Sequence, residues 1–154
     1  MPKKPTHAQA QLQLQLFDLR REEKLRRARE WVLEKYFPRT LEDSMRLAPP
    51  GSQESAYLRM VMSYWENACQ MLRYGLLHED LFFQTTNEFF LIWDRLGAGA
   101  AESRKTYRNP RMFENMEWAA KRYEKWVRSF APEFLDVLRA WMAQVGEGAR
   151  KVPG

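Results

Sequence analysis

The stretch that decides the fold is residues 52–73, SQESAYLRMVMSYWENACQMLR. Its apolar residues are Tyr57, Leu58, Val61, Met62, Tyr64, Trp65, Ala68, Cys69, Met71 and Leu72. They recur at three and four positions and cover more than half the circumference of an α-helix. Arg59, Ser63, Glu66, Asn67, Gln70 and Arg73 fill the narrow stripe that remains. A helix apolar over so wide an arc is surrounded by others, so this segment is expected to be the central helix. Gly75 stands where a left-handed residue would end it.

The chain of 154 residues is long enough for one domain with its own core. Its 45% hydrophobic and 14% aromatic residues exclude a disordered chain. No segment alternates convincingly in the manner of a strand, which predicts an all-α, single-domain helical bundle of about five main helices and one short one.

Working outward, residues 6–37 read as helix up to Pro38. Leu12, Leu16 and Leu19 share one face, whereas Leu25, Ala28, Val32 and Tyr36 lie nearly opposite. Either the helix breaks near residue 20, or its front half packs against something else. Residues 1–20 are therefore an N-terminal extension, expected to be helical, with 21–146 as the bundle and 147–154 as a flexible tail. Thr40 caps a short helix to Leu47. A helix over 79–96, begun at His78, turns Phe82, Phe83, Thr86, Phe89, Phe90, Trp93 and Leu96 inward, and Gly97-Ala98-Gly99 ends it. Residues 100–108 read as a loop, and Asn109-Pro110 as the start of a helix to Phe130. Pro132 opens the last helix, with Phe134, Leu135, Leu138, Trp141, Met142 and Val145 inward and Gly146 at its end.

Charge is segregated. The net charge is +5. Residues 1–37 hold 9 basic and 5 acidic side chains, residues 38–103 hold 5 and 9, and residues 104–154 hold 11 and 6. The basic flanks offer a candidate patch of Arg20, Arg21, Lys24, Arg26, Arg27, Arg104, Lys105 and Arg108, suited to anionic lipid or nucleic acid. Glu22, Glu23 and Glu30 lie within a turn of the first arginines, so nucleic acid is not favoured.

Chemistry has few footholds. A di-metal bundle site needs Glu-x-x-His on facing helices, and the two histidines, His7 and His78, do not form it. No metal or cofactor is expected. Cys69 lies mid-helix on the apolar face and reads as core. Glu66 and Asn67 on the central helix, with Asp94 and Arg95, form the candidate polar site. Glu66 is expected to accept from an arginine or an indole N–H across the bundle, or else to act as a general base in a pocket between helices. The single cysteine excludes an intrachain disulfide and fits a cytoplasmic protein, with attachment to a membrane surface as the alternative. Glutamines interrupt any secretory core after Met1-Pro2-Lys3-Lys4-Pro5, and no apolar run is long enough to span a bilayer.

Four motifs, Tyr64-Trp65-Glu66-Asn67, Arg73-Tyr74-Gly75-Leu76-Leu77-His78-Glu79-Asp80-Leu81, Ile92-Trp93-Asp94-Arg95-Leu96 and Asn109-Pro110-Arg111-Met112-Phe113-Glu114, resemble an uncharacterised family of small bacterial helical proteins with a domain of unknown function. The resemblance covers about residues 55–127. Some members carry an N-terminal membrane span, where this chain has a charged amphipathic segment. The resemblance implies no activity, cofactor or catalytic residue. The reading it leaves is a non-enzymatic interaction or regulatory module that docks a protein partner or a second copy through Leu12, Leu16 and Leu19. Peripheral binding through the basic flanks and an enzyme using Glu66 or Asp94 are the alternatives.

Overall fold

Residues 3–151 are described by a computed structural model, the side chain of Ala98 aside. Among them no strand forms. The helices in chain order are α1 (His7–Leu19), α2 (Glu23–Lys35), α3 (Leu41–Leu47), α4 (Gln53–Arg73), α5 (Glu79–Thr85), α6 (Glu88–Thr106), α7 (Glu114–Arg128) and α8 (Phe134–Lys151). The all-α class holds, but there are more helices than the six expected, because two of the expected helices are each split.

Helix α4 is the axis. It packs against α2 on one side and α7 on the other, α6 lies against α7, and α8 closes the groove between α2 and α7. Val61, Trp65, Ala68 and Cys69 are fully enclosed, as the wide apolar arc requires. Ser52 caps the helix by accepting from the Ser55 amide, and Gly75 follows its end at φ +74°. Around Trp65 the rings of Phe82, Phe83, Phe89, Phe90 and Tyr123 form a continuous cluster, with Phe83 stacked on Phe89 and edge-on to Tyr123. Each such pair adds about 0.5–1.5 kcal/mol beyond the area it buries.

The first split falls at residue 20, one of the two outcomes that the switch of apolar face allows. Glu22 turns its carboxylate onto the amides of Lys24 and Leu25 and so starts α2 itself. Those amide hydrogen bonds hold its carboxyl below the usual range. The second split, at Thr86 and Asn87, was not expected. Thr86 is extended and buried, and the helix restarts so that Glu88 stands in the first turn of α6.

Three expected boundaries also move. Gly97 and Gly99 lie inside α6, which runs to Thr106 through a segment expected to be loop. The helix formers Ala100, Ala101, Glu102 and Arg104 carry it past the glycines. Asn109-Pro110 does not open a helix: residues 110–113 are turns, Phe113 is left-handed at φ 58°, and α7 starts at Glu114. Helix α8 continues past Gly146 to Lys151, and residues 152–154 of the expected tail lie outside the described residues.

Gly146 serves packing instead of termination. A Cβ there would stand 2.7 Å from Cδ1 of Phe37, a buried ring. Gly146→Ala is expected to destabilise the fold by about 1–2 kcal/mol, because overpacking outweighs the helix-propensity gain. At Gly148 an added Cβ meets nothing within 4 Å. Gly148→Ala should therefore stabilise by up to about 1 kcal/mol, and thermal unfolding of the two variants checks both signs.

An outward apolar face and an arginine cleft

The candidate polar residues do not converge. Glu66 reaches across from α4 to the start of α7, where its carboxylate accepts from the amides of Asn115 (3.0 Å) and Met116 (2.8 Å) and from Asn115 Nδ2 (2.8 Å). Phe113 and Glu114 supply no cap of their own, so a carboxylate from another helix takes the orphan N–H groups at the positive end of the dipole. Asn67 is exposed. Asp94 is held by Arg139 of α8 through Nε and Nη2 at 3.1 and 2.9 Å. Both carboxylates are thus engaged by internal donors.

The acid enclosed most completely is Glu88, which the sequence reading missed. Its carboxylate receives Arg29 through two bonds of 2.8 and 2.6 Å and the Trp65 indole N–H at 3.0 Å, with Arg20 at 3.6 Å. The bidentate bond raises the pKa of Arg29, while burial lowers that of Arg20. The available signal was an acid set inside the aromatic run from Phe82 to Phe90. The indole expected to reach Glu66 belongs to Glu88 instead.

The candidate basic patch is divided. Arg20 turns in to Glu88, and Arg104 donates to Glu117 at 2.7 Å and to the Met112 carbonyl. Arg27 pairs with Glu23 on the surface. Arg21, Lys24, Arg26, Lys105 and Arg108 are exposed. The candidate interaction face is divided as well. Leu16 is buried, Leu12 packs on the core, and Leu19 alone is exposed. The Tyr64 hydroxyl donates to the Leu16 carbonyl, and Gln13 donates to the Leu81 carbonyl and to Thr85 Oγ1, so α1 is bound to α4 and α5.

An uncovered apolar face occurs elsewhere. On α8, Leu135 is enclosed and Leu138 packs on the core. Phe134, Val137 and Trp141, however, are 41%, 67% and 56% exposed, which corrects the inward placement expected for Phe134 and Trp141. Their spacing of three and four puts them on one stripe, and Phe130, in the turn before α8, is 62% exposed as well.

Arg95, the fourth candidate, leaves α6 to reach the end of α2. Its Nη1 donates to the carbonyls of Val32 and Tyr36, and its Nη2 to that of Leu33. These belong to the last carbonyls of α2, which need donors. The guanidinium lies 3.9 Å from the Phe37 ring centroid. Among the described residues it forms no ion pair, and burial pulls its pKa down to about 10. Arg95 lines a cleft of about 240 Å³ together with Tyr36, Arg39, Thr40, Ser44 and Ser103.

Among the described residues no three metal-ligating side chains stand together, and no helix is long and apolar enough to cross a membrane. No curated protein and no solved structure matches the chain. One family does match, over residues 5–126, from before α1 to within α7, and so takes in the three helices that the resemblance over 55–127 left out. The chain belongs to that family, a domain of unknown function, DUF4760.

Proposed function

We propose that the chain is a non-enzymatic interaction module that pairs with a second copy of itself through the outer face of α8. The observation that carries this reading is the stripe of Phe134, Val137 and Trp141, large apolar side chains left in water on a helix whose adjoining face is already packed. The spacing favours a second copy as the occupant: two such helices packed antiparallel about a two-fold axis beside Val137 bring Phe134 of each against Trp141 of the other, apolar on apolar. The engagement of Glu66 and Asp94 by internal donors, and of Arg20 and Arg104 by internal carboxylates, favours this reading over a carboxylate enzyme or a basic-surface binder.

Sedimentation of the full chain is expected to give a dimer, and Trp141→Glu a monomer that unfolds at nearly the same temperature. A chain that stays monomeric at high concentration overturns the reading. So does one that remains monomeric while its α8 face binds anionic vesicles.

A further inference from the structure

From the arrangement at the end of α2 we infer that the cleft beside Arg95 binds a small organic carboxylate, the acid group on the guanidinium and the carbon body against the apolar wall. A guanidinium has five N–H donors. Three are used on the carbonyls of Val32, Tyr36 and Leu33, two from Nη1 and one from Nη2. The remaining two, on Nε and Nη2, lie side by side on one edge, the fork that fits a carboxylate through two parallel bonds. No acceptor takes them among the described residues.

The rest of the lining points the same way. It contains a second cation, Arg39, and the hydroxyls of Tyr36, Thr40, Ser44 and Ser103, but no Asp or Glu. Of the two acids next in sequence, Glu42 is exposed and not part of the lining, and Asp43 already accepts from the Arg39 amide and pairs with Arg46. A partly buried cation without a counter-charge is unfavourable, and an anion in the cleft would compensate it. Pro38, Leu96 and Phe113 provide the apolar wall. The volume of about 240 Å³ suits a body of one ring or a short alkyl chain and excludes a nucleotide.

Acetate, butyrate and benzoate, titrated calorimetrically into the full-length protein, are the probes, with benzamide as the uncharged match to benzoate and inorganic phosphate as the alternative anion. At least one carboxylate is expected to bind with a Kd of about 1 mM or tighter, and benzamide at least about tenfold more weakly. Two variants locate the binding. Arg95→Lys keeps the charge but loses the fork, and should weaken it about tenfold or more. Arg95 also caps α2, so Gly99→Leu provides an independent arm. Gly99 lines the cleft inside α6, and a Cβ there meets nothing within 4 Å, so the leucine fills the space without disturbing the α2 cap. It should abolish binding while the melting temperature holds. The inference is overturned if none of the carboxylates binds at about 10 mM, if benzamide binds equally well, if phosphate alone binds, or if Gly99→Leu leaves the affinity unchanged.

Discussion

Glu88→Ala is expected to cost the fold about 3–5 kcal/mol, the loss that follows when one partner of a buried charge cluster is removed. The Glu88 side chain is 9% exposed, and those of Arg20 and Arg29 are each 18% exposed, so little water is available to replace the carboxylate. Two guanidinium groups and the Trp65 indole N–H would lose their acceptor together. In a chain of this length the loss lowers Tm by about 10 °C or more. A double-mutant cycle separates the pair from the burial cost: Arg29→Ala should be less damaging by about 1 kcal/mol or more when Glu88 is already alanine. A loss below about 1 kcal/mol for Glu88→Ala would show that water or another acceptor fills the site.

Glu66→Ala is expected to destabilise by about 2–3 kcal/mol, because three hydrogen bonds and a negative charge at the start of α7 disappear at once. Glu66→Gln keeps an acceptor but not the charge and should cost about half as much. Hydrogen exchange localises the effect. The amides of Asn115 and Met116 should lose protection in Glu66→Ala by about tenfold more than those of α2. A general base waiting in a pocket would behave otherwise, since its removal spares stability and leaves those amides protected.

How far this fold can be read from its sequence depends on whether the deciding partner is local. The arc of α4, the left-handed Gly75 and the cap at Thr40 are set by residues within one or two turns, and each stands where the pattern puts it. The restart at Glu88 depends on Arg29 and Trp65, which lie 59 and 23 residues away. Likewise α7 begins at Glu114, where an acid from α4 waits, and not at Asn109-Pro110, where the local signal is strong. Gly97, Gly99 and Gly146 read as stops because glycine is a weak helix former, yet in each case the next turn is strong enough to continue. The candidate site shows the same division. That Glu66 needed a donor was legible, but not that the donors were backbone amides. The stripe on α8 carries the 3.6-residue period of a buried face, and periodicity alone cannot say that the face turned to the core would be the other one.

The Glu88 cluster also sets an order of events in synthesis. Arg20 and Arg29 leave the ribosome about 60 residues before the carboxylate that receives them. The Trp65 indole waits for it as well. Until residue 88 is made, Arg20 and Arg29 have no acceptor for their inward guanidinium groups, so α2 can dock on the apolar face of α4 before the charge cluster closes.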